Sequence, residues 1–353
     1  MFDLKKILRP HILTLTPYAS ARDEYAGTEG IFLDANENPL GSVTPQPYNR
    51  YPDPYQWSLK EKISSIRNVP AKQIFLGNGS DEAIDLIIRA TCTPAQDEVI
   101  LLPPTYGMYE VSANIHEVRL VKVPLTPQFQ IDVPAVLKAI TPRTKLIFLC
   151  SPNNPTGNLL RKEDMQQIIK QFNGLVVVDE AYIDFAPEHT FVSKLQEYEN
   201  LVVLQTFSKA WGLAGLRLGM AFASEEIVQV LNKLKPPYNI SILTQEVVEK
   251  YIDNIAAKDR MVTQILSDKQ LLIQHLQQLP IVEKIHPSDA NFLLVKVSDA
   301  SSVYRHLVND RIIVRDRSKV ILCEGCLRIS VGNGEENNQL VTSLKSFSKM
   351  VSV

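Results

Sequence analysis

Apolar residues along this chain gather in short runs, and between about residue 75 and residue 225 these runs alternate with stretches of helical period. The runs "QIFLG", "EVILL", "RLVKV", "KLIFLC", "GLVVVD", "LVVLQ" and "LGMAFA" predict strands. Several are apolar throughout instead of alternating, as in strands buried on both faces of a largely parallel sheet. Between them the spacing predicts helices over 81–91, 161–172 and 224–234. Together these predict a doubly wound α/β domain with a mostly parallel sheet. Ligands are then expected at the carboxyl ends of its strands.

From about 241 to 279 the pattern is helical, with no strand between. Beyond it "NFLLVKV", "RIIVRD" and "CLRISVG" predict strands, with one helix near 301–309 and another at the C-terminus. That mixture predicts a smaller α+β domain. The first 30 residues, with Pro10 and Pro17, read as an arm. The expected organisation is an arm over 1–30, a large domain over 31–240 and a small domain over 241–353. A chain of 353 residues is also too long for one ordinary core.

Composition narrows the class. With 45% apolar and 22% charged residues, the chain is that of a folded protein. The 37 basic and 39 acidic side chains leave a formal net charge of −2, which gives no electrostatic reason to expect nucleic acid or an anionic membrane as partner. The start, "MFDLKKILRPHILTL", has basic residues but no long apolar core and no small-residue cleavage site, so it reads as part of the mature protein. No apolar run approaches the ~20 residues that span a bilayer. Four cysteines point to a reducing cytoplasm without disulfides. Cys323 and Cys326 form a C-x-x-C, but without a second pair or a histidine pair they read as structural thiols, and no metal site is expected.

Four segments carry candidate chemistry. In "FLGNGSDEAIDLIIRA" a strand ends, Gly77 and Gly79 follow, and Ser80 and Asp81 open a helix. Free N–H groups at such a start make an anion site, although an ordinary capped helix explains the same residues. "CSPNNPTG" is a rigid turn at a strand end, where Asn154 is a neutral donor able to point into a site. In "GLVVVDEAYIDF", Asp179 ends an apolar strand with Tyr182 close behind; it is either a helix cap or the partner of a buried cation. In "TFSKAWGLAGLRLG", Lys209 lies among Phe207, Ala210 and Trp211, poor company for a solvated ammonium. Gly212, Gly215 and Gly219 follow and let backbone approach a ligand, while Arg217 can grip a phosphate. The other "FSK", ending at Lys349, has no such glycines and reads as solvated.

One cofactor uses a lysine, a strand-end carboxylate, a phosphate cradle and an arginine together. Pyridoxal phosphate forms an imine with a lysine, wants an acid beside its pyridine nitrogen and wants an anion site for its phosphate. Lys209 is the expected imine lysine.

The segments "LTPYASARDEY", "FLDANENPLG", "RYPDP", "NGSDE", "PPTYGMY", "SPNNPTG", "VVDEAY" and "TFSKAWGLAGLRLG", in this order and at about this spacing, resemble the fold type I pyridoxal-phosphate aminotransferases. The resemblance covers nearly the whole chain and is closest to the histidinol-phosphate aminotransferases of class II. It implies a large domain with a seven-stranded, mostly parallel sheet plus a smaller α+β domain.

It also implies roles. Lys209 looks like the Schiff-base lysine and the acid/base between Cα and the cofactor's C4′. Asp179 resembles the partner of the pyridine nitrogen, and Tyr182 and Asn154 those of the ring hydroxyl oxygen. Tyr106 resembles the aromatic stacked on the ring. Ser80 and Asp81, with Thr206, Ser208 and Arg217, resemble the phosphate cup. Tyr51 resembles a tyrosine that reaches the neighbouring subunit's cofactor phosphate, so a homodimer is implied. Tyr18, Arg315 and Arg328 match substrate positions, with Asn154 beside them. Arg328 can serve a carboxylate and a phosphate in turn, although a surface strand arginine is the plain alternative.

The implied reaction moves an amino group between histidinol phosphate and 2-oxoglutarate, yielding glutamate, by ping-pong chemistry in histidine biosynthesis. An aromatic-amino-acid aminotransferase and a threonine-phosphate decarboxylase share similar motifs. A non-catalytic regulator of the same fold is disfavoured, because Lys209 and Asp179 are both retained and the chain leaves no room for an appended DNA-binding region.

Overall fold

The computed structural model describes residues 2–18 and 30–351. Residues 19–29, which include most of "LTPYASARDEY" and much of the expected arm, lie outside the described residues. Two short helices, α1 (Leu4–Ile7) and α2 (Pro10–Thr14), open the chain. Leu4, Ile7 and Leu8 are buried against the body, and Arg9 N–H donates to Ala90 O at 2.9 Å.

After α3 (Trp57–Arg67) come β1 (Ile74–Asn78), α4 (Ser80–Thr91), β2 (Glu98–Leu101), α5 (Met108–Ile115), β3 (Arg119–Lys122) and α6 (Val133–Ala139). β4 (Thr144–Cys150), α7 (Lys162–Gln171), β5 (Leu175–Asp179), β6 (Leu201–Thr206), β7 (Leu218–Phe222) and α8 (Glu225–Leu234) follow. The strands form one seven-stranded sheet in the order β1-β7-β6-β5-β4-β2-β3. β7 runs antiparallel to both its neighbours, and the other pairs are parallel.

The pleat explains the unbroken apolar runs. Val176 and Val178 of β5 enter one core with Ile63 of α3 and Ile168 of α7. Leu175 and Val177 enter the opposite core with Ile84 of α4 and Ile227 of α8. Both faces are covered, so neither set of alternate residues is polar. Because only β7 is reversed, β1, β4, β5 and β6 end on the same edge. Asn78, Cys150, Asp179 and Thr206 therefore come out together, and β7 begins there, right after Arg217.

The rest of the chain holds α9 (Ile242–Tyr251), α10 (Ile255–Gln277), β8 (Val282–Ile285), β9 (Phe292–Val297), α11 (Ala300–Asn309), β10 (Arg315–Asp316), β11 (Cys326–Ser330) and α12 (Gly334–Val351). Its strands form an antiparallel sheet in the order β10-β11-β9-β8. Leu272, Leu293, Val303 and Leu344 lie in a separate core on this sheet.

Two details differ from the sequence pattern. The run "RIIVRD" pairs as a strand only at Arg315–Asp316. Arg311 takes a left-handed φ of 62°, and Ile312 N–H turns back to Leu307 O, so the first half of the run is the exit from α11. The strand β8, "VEKI", was not expected; it carries too few apolar residues to stand out. No helix among the described residues is long and apolar enough to cross a membrane.

Candidate active site

A cleft of about 630 Å³ opens at the gathered strand ends. Its lining brings together Ser80, Asp81, Tyr106, Asn154, Asp179, Tyr182, Thr206, Ser208, Lys209 and Arg217, residues drawn from six separate stretches of chain.

One end of the cleft is built for an anion. Helix α4 has no side-chain cap, so its first N–H groups are left for a ligand. Gly79 has a φ of 71°, and a Cβ there would stand 2.7 Å from Arg217 Nη2. A Cβ on Gly219 would stand 2.1 Å from Ser80 N, so only glycine lets β7 pass this close to the turn. Gly79 N–H donates to Arg217 O at 2.5 Å, which ties the two sides together. Thr206 Oγ1 lies 2.9 Å from Ser208 Oγ and accepts from Ser208 N–H at 3.1 Å, holding both hydroxyls at the rim. Arg217 Nη2 is 3.8 Å from Asp81 Oδ2, a loose pair that an anion can outcompete.

Asp179 forms the floor, at 2% exposure. Its Oδ1 accepts from Ala181 N–H at 3.0 Å and its Oδ2 from the Tyr109 phenol at 2.6 Å. Burial pushes its carboxyl above the usual range, and those hydrogen bonds and Lys209 offset this only in part. A cation set against it would favour the ionised form. Tyr109 was not anticipated, although it lies one helical turn beyond Tyr106 in "PPTYGMY". Its ring stacks on Phe148 at 4.6 Å and meets Tyr106 edge-on at 5.5 Å. Tyr106 donates to Asp81 Oδ1 at 3.1 Å, and burial raises its phenol above the usual range.

Lys209 stands on the loop after β6. As a residue it is exposed, yet protein packs around its amine. Desolvation and then the Arg328 guanidinium hold the ammonium below the usual lysine range, while Asp179 opposes them. Lys209 Nζ lies 5.5 Å from the Tyr182 ring centroid. Burial raises the Tyr182 phenol, and the ring meets Phe292 edge-on at 5.1 Å.

A second lobe shares Tyr106, Asn154, Tyr182 and Lys209 and adds Arg315, Arg317 and Arg328. Arg315 and Arg328 face each other across β10 and β11. Arg317 was not anticipated; it follows directly on β10, and its N–H donates to Cys326 O at 2.9 Å. Arg328 Nη1 donates to Asn154 Oδ1 at 2.6 Å, which leaves Asn154 Nδ2 to donate into the cleft. Arg328 is half-buried over the Phe292 ring, 5.4 Å from its centroid, and its buried Nε has no partner among the described residues. The Asn154 turn is fixed from the small sheet: Asp289 N–H donates to Gly157 O and Asp289 Oδ2 accepts from Leu159 N–H, both at 2.8 Å.

Two expected site residues do not line this cleft within one chain. Tyr51 is 51% exposed and stacks on Tyr238 with centroids 4.4 Å apart. Tyr18 is 77% exposed and lines a different cavity with Trp57 and Lys233. Cys323 and Cys326 are buried free thiols, pushed up to about 12 and about 11 by burial. Lys349 is exposed. Among the described residues no cluster of three or more His, Cys, Asp or Glu could hold a metal.

The model of the family "Aminotransferase class I and II" matches residues 27–344. The histidinol-phosphate aminotransferase of Cytophaga hutchinsonii is 57% identical over 346 residues, covering 98% of this chain and 99% of that protein. Among solved structures, the histidinol-phosphate aminotransferase of Clostridium acetobutylicum superposes with a TM-score of 0.80 at 23% identity, over 86% of this chain and 92% of that one. The Sinorhizobium meliloti enzyme, solved in complex with pyridoxal-5'-phosphate, gives a TM-score of 0.80 at 23% identity over 90% of each chain. The two structures share the fold, and the family model and the close relative extend the likeness to the sequence. The chain belongs to the class I and II aminotransferases and, within them, to the histidinol-phosphate aminotransferases.

Proposed function

We propose that this chain transfers an amino group between histidinol phosphate and 2-oxoglutarate, with pyridoxal phosphate held in the cleft at the strand ends. The observation that carries the reading is the placing of Lys209 and Asp179 in one cleft that ends in an uncapped helix start. The residues present fit the cofactor. The buried Asp179 carboxylate, raised by desolvation, suits a protonated ring nitrogen, and the cup suits a phosphate. When bound, pyridoxal phosphate supplies an electron sink for the pair released at the substrate's Cα and carries the amino group between the two substrates.

The chain's own residues do the rest. Lys209, its ammonium destabilised by burial, is the amine that holds the cofactor between turnovers and moves the proton between Cα and C4′. Tyr109 holds Asp179 in place and satisfies a buried oxygen. Asn154 Nδ2 and the Tyr182 phenol would hold the ring hydroxyl oxygen, and Tyr106 would cover the ring. Ser80, Asp81, Thr206, Ser208 and Arg217 bind the phosphate. Arg328, with Arg315 beside it, receives the substrates' anions in turn. Its orphaned Nε and the Asn154 bond, which aims its guanidinium, support this role.

By resemblance Tyr51 is assigned to the site of a second copy, which makes the working form a homodimer with shared sites; its exposure and its stacking on Tyr238 support that assignment. Tyr18 is assigned to the substrate on the same grounds of resemblance. Residues 31–240 act as the cofactor domain and 241–353 as a small domain that brings Arg315 and Arg328 to it. Buried, unpaired cysteines support a cytoplasmic setting.

Borohydride reduction of the purified holoprotein, followed by peptide mapping, tests the assignment. The pyridoxyl label is expected on Lys209. A label on Lys349 or another lysine, or none at all, contradicts it.

A further inference from the structure

Helix α4 begins with Asp81 and Glu82 in its first turn. A glutamate three residues past the start of a helix usually bends back onto the N–H groups just ahead of that helix. Glu82 reaches further. Its Oε2 accepts from Asn78 N–H at 2.6 Å and from Asn239 Nδ2 at 3.1 Å. Asn239 is itself anchored: its Nδ2 also donates to Leu76 O at 2.9 Å, and its carbonyl accepts from Asn78 Nδ2 at 2.6 Å. Gly77 leaves the space, since a Cβ there would stand 3.2 Å from Glu82 Oε2.

Gly79 N–H is already given to Arg217 O, and no side chain caps the helix. The N–H groups of Ser80 and Asp81 therefore face the cleft without a side-chain acceptor. The Asp81 carboxylate beside them is occupied by Tyr106 and Arg217, whereas a free Glu82 carboxylate would compete for them, and its charge would repel any anion in the cup.

We propose that Asn239 is a positioning residue that holds the Glu82 carboxylate behind the turn, keeping the helix start open for the cofactor's phosphate. The inference rests on the reading of the cup as a phosphate site. It adds a residue from the segment between α8 and α9 that lines neither lobe of the cleft.

The test is an absorbance titration of the full-length, cofactor-stripped protein with pyridoxal phosphate and with pyridoxal, which lacks the phosphate. Asn239→Ala should weaken pyridoxal phosphate by about tenfold, the scale of one charge-assisted hydrogen bond, and pyridoxal by no more than about twofold. Adding Glu82→Gln to Asn239→Ala should restore most of the loss, because the freed side chain no longer carries a charge. Equal weakening of both ligands, or no recovery in the double variant, overturns the proposal. If Asn239→Ala does not fold, as judged by its melting curve, Glu82→Gln alone decides. The preference for the phosphate form should hold or rise, and a fall means that Glu82 is merely a structural staple. A wild-type protein with no preference between the two ligands would instead remove the phosphate-cup reading, and this inference with it.

Discussion

Tyr109 and Asp179 form a 2.6 Å hydrogen bond at the floor of the cleft, between two side chains that are both almost fully buried. The phenol satisfies Oδ2 where water does not reach, so the carboxylate is aimed before any cofactor arrives. Cys150, next to Asp179 across β4 and β5, is buried as well, and its thiol is pushed above its usual range.

Tyr109→Phe keeps the ring and its stacking on Phe148 but leaves Oδ2 without a donor. An unsatisfied buried acceptor costs about 1–3 kcal/mol, so kcat/KM should fall roughly tenfold to a hundredfold. In the proposed function Asp179 serves both half-reactions, so the fall should be the same for glutamate and for histidinol phosphate. Unchanged single-turnover rates would remove Tyr109 from the machinery.

Tyr51→Ala and Lys209→Ala should each be nearly inactive alone and should regain activity when unfolded and refolded together. Each mixed dimer keeps one site with both native residues, which at random pairing gives about a quarter of the wild-type rate. No recovery, or a monomer by ultracentrifugation at assay concentration, contradicts shared sites.

Glu180, the neighbour of Asp179, gives a pH prediction. Burial, only partly offset by hydrogen bonds from Phe191 N–H, Thr190 and Gln205, raises its carboxyl from an ordinary 4.5 to about 7. The folded state then holds this proton more tightly than the unfolded chain does. Its stabilising effect is complete below about pH 4.5 and is lost as the pH rises to about 7. Glu180→Gln cannot titrate, so the melting temperature of the variant relative to wild type should rise between pH 5 and pH 8. A difference that stays flat across that range contradicts the raised value.

The seven strands of the large sheet were legible in the sequence because burial on both faces leaves runs such as "GLVVVD" without polar breaks. The residues at their ends were legible for the same reason: Asp179 and Lys209 are conspicuous where they interrupt apolar surroundings. Helix α3 was not read, since Lys60, itself buried, breaks the stripe between Leu59 and Ile63, and Gln56 enters it in a left-handed conformation with no capping side chain. Tyr109 and Asn239 were missed because their contacts, with Asp179 and Glu82, join distant segments of the chain. Tyr51 shows the opposite limit. Resemblance assigns it to a site, while a single chain places it on the outside.

The most direct measurement is a substrate panel. Purified holoprotein would be assayed for glutamate formation from 2-oxoglutarate with histidinol phosphate, phenylalanine or threonine phosphate as amino donor, and for carbon dioxide release from the last. The guanidiniums of Arg315, Arg317 and Arg328 on one wall favour a donor with a phosphate, and one charge-assisted pair contributes about tenfold or more in kcat/KM. Histidinol phosphate should therefore exceed phenylalanine by at least that factor, with no carbon dioxide released from threonine phosphate. A higher kcat/KM for phenylalanine, or decarboxylation of threonine phosphate, would contradict the proposed function.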